Sequence, residues 1–254
     1  MTRKPSLWVL LATVIGIGIT ASLGAWQLDR ADQKQDLHDT MMAREQLPML
    51  DHTALPCSAS DWQQAEQRHA WLRGHWLSGH TLYLSNRSMQ GRAGFVVLTP
   101  LRLEPSPGVA CAATVVLVQR GWVPRDLVDP ARVPKIQDTA AGVRVPVRLV
   151  PPPSRMLELG STQGSDTGPV RQNVTLSELS KEWGVILRPG SVQQLAAESP
   201  SAVKAPELLR QWWQPSADVG KHQAYAAQWF AMALIMGTLY AWFQWWRPRR
   251  GAAQ

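Results

Sequence analysis

Between Lys4 and Asp29 no position carries a charged side chain, and Leu7 to Trp26 is almost wholly apolar. A second run, His222 to Trp246, is likewise free of full charges and is dominated by Ala, Leu, Met, Phe, Trp and Tyr. A helix rises ~1.5 Å per residue, so about 20 residues cross a hydrocarbon core of ~30 Å. Where no water is at hand, a spanning backbone must satisfy its own polar groups, and for an isolated run that means a helix. The sequence therefore predicts one transmembrane helix near each end. Arg3 and Lys4 precede the first run, and Arg247, Arg249 and Arg250 follow the second, so the positive-inside rule places both ends in the cytoplasm. The expected division is 1–6 cytoplasmic, 7–26 first transmembrane helix, 27–221 a mainly-β domain on the outer side, 222–246 second transmembrane helix and 247–254 cytoplasmic. The rival for the first run is a cleaved signal peptide, with Ala21, Ser22 and Gly24 offering a cleavage site. Against it, the uncharged run exceeds the usual h-region of roughly 7–15 residues.

The formal net charge of +7 raises nucleic acid as a candidate partner. Five of the basic residues, however, are the flanks just named, and from Arg30 to Lys221 the basic residues exceed the acidic by only three. The charge is topological, with no basic stripe for a nucleic acid, and lipid is the expected surrounding. Trp8, Trp26, Trp229, Trp242, Trp245 and Trp246 lie within or at the ends of the two runs, as interfacial belts do. Ala12, Gly16, Thr20 and Gly24 recur at four-residue spacing, as do Ala233, Gly237 and Ala241. Such stripes let helix backbones approach closely, either each other or a partner.

From Trp26 to Leu47 no Gly or Pro interrupts good helix formers, which predicts that the first helix continues beyond the apolar run. After Pro48 and Pro56 the pattern changes to strands. Ala70, Leu72, Gly74 and Trp76 alternate with His69, Trp71, Arg73 and His75, and Thr81 to Arg87 alternates again after Ser78-Gly79, which predicts a β-hairpin. Phe95 to Leu103 and Thr114 to Trp122 predict a second pair. Val143, Val145, Val147 and Leu149 form one apolar face. Thr175 and Glu178 fit a capping box for a short helix ending near Gly184, and Ile186 to Leu195 reads as a final strand. Pro151 to Pro153 and Gln163 to Gly168 read as loops. The expected class is membrane α+β: two transmembrane helices flanking an antiparallel β-sheet or small β-barrel with short helices.

Several chemistries lack their residues. There is no HExxH, GxSxG, P-loop or dinucleotide glycine fingerprint, and no CxxC or CxxxC for copper or thiol exchange. His69, His75 and His80 lie close in sequence without a carboxylate or cysteine at ligand spacing, so they read as solvated strand residues. Cys57 and Cys111 are the only cysteines; two cysteines leave a disulfide open without establishing it. His222 stands apart because it opens the second span beside Lys221, near the outer interface. An imidazole there could ligate heme iron, with Tyr225 and Trp229 on the same helix face and Arg30 pairing with propionates. The alternative is an interfacial His, Tyr and Trp anchoring set.

Four segments together resemble the surfeit-locus cytochrome c oxidase assembly factors. Gly24-Ala25-Trp26-Gln27-Leu28-Asp29-Arg30 resembles the outer end of that family's first helix. Asn86-Arg87 followed by Gly94 to Leu101, and Val118-Gln119-Arg120-Gly121-Trp122-Val123-Pro124, resemble its two sheet blocks. Lys221-His222-Gln223-Ala224-Tyr225-Ala226-Ala227-Gln228-Trp229-Phe230 resembles the start of its last helix. The resemblance implies maturation of the heme-copper oxidase rather than catalysis. Heme A would be held or delivered, with the oxidase catalytic subunit and the heme A synthesis machinery as partners and the bacterial inner membrane as location. His222 matches the family's heme-associated histidine. Trp26, Gln27, Asn86, Arg87, Arg120, Gly121, Trp122, Lys221 and Gln228 would contact partners or shape the domain. Gln119 stands where many relatives have Asn, and Cys111 in the Glu104 to Ala113 loop is no family feature. A scaffold of the same fold that binds only protein, without heme, is the alternative; a membrane hydrolase is disfavoured because no nucleophile and base can be paired.

Overall fold

The computed structural model describes residues 7–105, 108, 111–129, 132–136, 141–156, 168–197, 208–212 and 219–246. The basic flanks Arg3, Lys4, Arg247, Arg249 and Arg250, and the predicted Gln163 to Gly168 loop apart from Gly168, lie outside the described residues. Two compact units emerge: the chain up to Met41 together with the C-terminal helix, and Met42–Gln214.

α1 (Leu7–Glu45), which lies in the first unit up to Met41 and in the second from Met42, is a single helix that continues well past the apolar run, as the absence of Gly and Pro after Gly24 predicts. Pro48, just beyond its end, cannot donate to a helical ladder. α4 (Val219–Ala241) begins three residues before the uncharged run and passes into a π-helical turn at Trp242–Trp246. Both helices are long and apolar enough to cross a membrane. Hydroxyls within the apolar runs bond back to their own helix: Thr13 to the Val9 carbonyl at 2.8 Å, Thr20 to Gly16 at 2.9 Å and Thr238 to Leu234 at 2.8 Å. Glycines of both small-residue stripes lie against larger side chains of the other helix rather than against the opposite stripe. A Cβ on Gly24 would lie 2.8 Å from the Phe230 ring, one on Gly16 3.2 Å from Met236 Sδ, and one on Gly237 3.6 Å from Ile17 Cδ1. Position 24 thus meets 230 while 16 meets 236, so the two helices run antiparallel.

The second unit is built on strands β1 (Leu50–Asp51), β2 (His69–Trp76), β3 (Leu82–Met89), β4 (Arg92–Leu103), β5 (Val115–Pro124), β6 (Val143–Val150), β7 (Val170–Arg171) and β8 (Leu187–Gln194). Helices α2 (Ala59–Ala65) and α3 (Leu176–Trp183) complete it. The sheet order β1-β2-β6-β8-β5-β4-β3-β7, with a further β2–β4 pairing, closes β2, β6, β8, β5 and β4 into a barrel. The predicted β4/β5 pair is present and antiparallel. The hairpin predicted for β2 and β3 is not. Ser78–His80 forms a 3-10 turn rather than a two-residue hairpin turn. β3 instead pairs with the first half of β4, and β2 pairs with the end of β4 and with β6. The barrel is also not wholly antiparallel, because β8 returns parallel to β5.

Alternation along β2 and β6 is realised as predicted. Ala70, Leu72, Val145, Val147 and Leu149 are fully buried and fill the barrel with Leu101, Val116, Val118 and Val192. β5 is buried on both faces, because its other side chains, Val115 and Leu117, pack with Leu98, Leu179 and Leu187 beneath α3. The α3 ends follow the sequence: Thr175 Oγ1 accepts from the Glu178 N–H, and Gly184 takes a left-handed φ of 64°. Trp62 of α2 belongs to the barrel core and donates its indole N–H to the Val150 carbonyl at 2.9 Å. It lies flush against Gly190, where any Cβ would overlap the ring. Burying ~150–250 Å² of indole at ~25 cal/mol/Å² contributes about 4–6 kcal/mol before entropy is counted.

Gly74 sits where the barrel closes, opposite Leu103. A Cβ at this position would fall inside the van der Waals shell of the Arg102 carbonyl oxygen. Gly74→Ala should therefore destabilise the protein by about 1–3 kcal/mol, the usual cost of overpacking, in denaturant unfolding of the detergent-solubilised chain followed by tryptophan fluorescence. Gly79→Ala, which meets open space, should change little.

Candidate functional site

The helix pair brings together two residues that stand 195 positions apart. His222, in the first turn of α4 and half-buried, places Nδ1 2.7 Å from Oε1 of Gln27 on α1. An amide oxygen only accepts, so Nδ1 carries the proton and donates. The lone pair then lies on Nε2, the tautomer a metal ligand requires, and the amide fixes the ring's orientation. Tyr225, 55% exposed, follows one turn along α4, and the half-buried Trp229 one turn further. Trp26 and Phe230 add exposed aromatic surface, 57% and 40%, on the same pair of helices. An oriented imidazole amid exposed aromatic side chains fits what a heme would need from this unit. Arg30 is exposed and bonds along its own helix, donating to Gln33 Oε1 at 3.0 Å, while Gln33 donates to Asp29 at 2.8 Å. Lys221 and Gln228 are exposed.

The remaining motif residues belong to the barrel unit and shape it. Asn86 takes φ 57° at the β3 bulge, a conformation Asn tolerates better than most side chains. Beside it, Arg87 donates to the Ser154 carbonyl at 2.6 Å and the Ser154 hydroxyl at 3.3 Å, and burial pulls its pKa below the usual guanidinium value. The Arg87 carbonyl accepts the Trp122 indole N–H at 2.8 Å. Trp122 is 1% exposed, exchanges backbone hydrogen bonds with Leu209 at 2.8 and 2.9 Å, and covers Gly94, where a Cβ would overlap its ring. Gly121 admits Leu208, whose Cβ lies 2.6 Å from where a Gly121 Cβ would be. The buried Arg120 stacks over Trp76, 4.3 Å from the ring centroid. Gly74, Gly94 and Gly121 all serve close packing.

Two features escaped the sequence. The first is a chain of polar side chains on the outer face of β5, β6 and β8. Glu45, in the last turn of α1, pairs with the buried Arg148 at 3.2 Å, and Arg148 donates to Gln193 at 2.8 Å. Gln193 donates to Gln119 at 3.2 Å, Gln119 to the Ser191 hydroxyl at 2.9 Å, and Ser191 to the Pro151 carbonyl at 2.7 Å. Gln119, the departure from many relatives, is thus a link in this chain. An outward strand position reads as solvated from sequence alone, so only the covering chain reveals the network.

The second is a cleft of about 490 Å³ lined by His52, His75, Arg102, Glu104, Cys111 and Arg188 among others. Cys111 is joined to Cys57 in a disulfide. The guanidinium of Arg188, 3% exposed, lies against Cys57, and burial lowers its pKa. Of the three histidines expected as solvated strand residues, His75 on β2 is exposed and His69 on β2 is half-buried, whereas His80 is half-buried in the 3-10 turn, 5.3 Å from Trp183 between ring centroids. Among the described residues no three His, Cys, Asp or Glu side chains gather as for a metal ion.

Two apolar helices packed on each other, flanking in sequence a segment that closes into a β-barrel, define a two-helix barrel protein with a polar His222–Gln27 contact at the edges of the apolar runs. The SURF1 family matches residues 14–234. The chain belongs to the SURF1 family. Among individual relatives, a SURF1-like protein of Monosiga brevicollis is 29% identical over 152 residues, covering 56% of this chain and 52% of the relative. Surfeit locus protein 1 of Arabidopsis thaliana is 29% identical over 128 residues, 48% of this chain and 36% of the relative. Cytochrome oxidase assembly protein SHY1 of Saccharomyces cerevisiae is 29% identical over 115 residues, 44% and 27%. The chain thus spans about half, or less, of the length of these relatives.

If the His222–Gln27 contact is a net hydrogen bond, a double-mutant cycle of Gln27→Ala and His222→Ala should return a coupling of about 0.5–1.5 kcal/mol in thermal unfolding in detergent. Additive single effects would show that the two side chains are merely adjacent.

Proposed function

We propose that the protein is a membrane-bound assembly factor of a cytochrome c oxidase that holds heme A during maturation of the catalytic subunit. The observation that carries this reading is the pairing of His222 with Gln27 at the edges of the two apolar runs in a SURF1-family chain. Family membership, together with the relative named as a cytochrome oxidase assembly protein, supports the assembly role. Both helices cross the inner membrane of a bacterium with the chain ends in the cytoplasm, and the barrel lies on the periplasmic side.

In this reading Nε2 of His222 would be the iron ligand, because Gln27 fixes the tautomer that leaves the lone pair on that nitrogen. Tyr225 and Trp229 would offer aromatic surface to the macrocycle, and Arg30, released from Gln33, would meet a propionate. The protein's residues would bind and orient the heme without turning over a substrate. Heme A synthesis would supply the cargo. Asn86, Arg87, Arg120, Gly121 and Trp122 then act by maintaining the barrel that meets the nascent subunit.

Protein purified in detergent from cells that make heme A should show a Soret band that His222→Ala removes. Gln27→Leu, which frees the ring, should weaken heme affinity by about 10-fold or more, as loss of an orienting partner does at metal sites. Colourless wild-type protein from such cells would sink the heme part and leave a scaffold that binds only protein. Oxidase of unchanged heme content in cells lacking the gene would sink the assembly role itself.

A further inference from the structure

We propose that the Cys57–Cys111 disulfide is redox-active and exchanges with a thiol-bearing peptide admitted by the cleft, Cys57 departing as a thiolate held by Arg188. The inference concerns the barrel unit alone and is independent of any heme at His222.

The geometry sets the two sulfurs apart. Cys111 lines the cleft and is half-buried, whereas Cys57 is exposed. Only Cys57 meets the guanidinium: Nη1 of Arg188 is 2.6 Å from its Sγ. That cation is 3% exposed and is held by the carbonyls of Leu55 and Pro56, each 3.1 Å from Nη1. Both carbonyls are backbone groups, so the guanidinium stays in place whether the S–S bond is made or broken. Its Nε is buried with no hydrogen-bond partner among the described residues.

A buried guanidinium gains little from a neutral disulfide sulfur, which is a weak acceptor. It gains much more from a thiolate, through a charge-assisted bond. Arg188 therefore favours the reduced form and makes Cys57 the better leaving group, since the thiol of lower pKa departs faster. Exposed disulfides are also the ones that exchange readily.

A substrate thiolate attacks Sγ of Cys111, the S–S bond breaks, and its electron pair leaves on Cys57 beside Arg188. A second thiolate of the substrate attacks the substrate sulfur of the mixed disulfide and expels Cys111, which takes a proton from water. The substrate dithiol is oxidised to a disulfide and the chain is reduced by the same two electrons, once per chain. With a monothiol such as glutathione, a second molecule takes the place of the second thiolate.

The test uses the full chain in detergent with glutathione as the thiol probe. In Cys111→Ser the rate of Cys57 alkylation by iodoacetamide should have its pH midpoint about one unit or more below the ~8.5 of an ordinary thiol. Arg188→Met added to Cys111→Ser should return the midpoint to the ordinary value, and Arg188→Lys should retain part of the shift. In the otherwise native chain, Arg188→Met should move the equilibrium with reduced and oxidised glutathione about 10-fold toward the disulfide. A disulfide that stays intact in a large excess of reduced glutathione overturns the proposal. So does an equilibrium indifferent to Arg188. If circular dichroism shows Arg188→Met unfolded, the Cys111→Ser profile decides alone: a midpoint at the ordinary value overturns the proposal, and a depressed one supports it.

Discussion

β4 changes partners along its length, and the barrel depends on that change. Its first half pairs with β3, and its last residues, Leu101 to Leu103, pair with Gly74 to Trp76 of β2. That short ladder turns an open sheet, with two long unsatisfied edges, into a ring. Closure requires the two backbones to approach more closely than a Cβ allows, which is why a glycine occupies position 74. Once the ring is shut, one set of side chains on β2, β5, β6 and β8 has no exit to water and becomes the core. The outer set is left to pair with whatever the rest of the chain lays over it.

What covers the outside differs from face to face. Under α3 it is apolar, with Leu98, Leu117, Leu179 and Leu187 packed together. Along β6 and β8 it is polar, with Arg148 at its centre between Glu45 and Gln193. Nη1 and Nη2 of the buried Arg148 are both paired while its Nε has no partner among the described residues, and breaking such a pair typically costs more than making it contributes. The pairing therefore specifies where the last turn of α1 meets the barrel strands more than it stabilises the fold. Gln119 extends the same chain to Ser191.

Each unit carries its own chemistry. In the helix pair an amide oxygen fixes a histidine tautomer, and Tyr225 and Trp26 on the same two helices are exposed. In the barrel unit a buried guanidinium lies against one sulfur of a disulfide beside a basic cleft. In both cases a neighbour without reactivity of its own sets the state of the reactive group: Gln27 decides which nitrogen of His222 holds the proton, and Arg188 decides which sulfur better carries negative charge.

By itself the sequence determined whatever depends on local pattern. The two uncharged runs dictated long apolar helices, the unbroken stretch after Gly24 carried α1 to Glu45, and the capping residues Thr175 and Gly184 set both ends of α3. Alternation likewise told which side chains of β2 and β6 are internal, because the two-residue period of a strand is local too. Tertiary structure alone decided the partners. β2 and β3 carry hairpin-like patterns yet do not pair, since strand choice depends on which edges the rest of the sheet leaves open. His222 and Gln27 were both marked by family motifs, but no spacing in the chain could foretell that they touch. Arg148, on the strand face opposite Val147 and Leu149, gave no sign of burial, because burial of an outer face is a property of the segments laid over it. Periodicity reports which way a side chain points, and only the folded chain decides what it meets there.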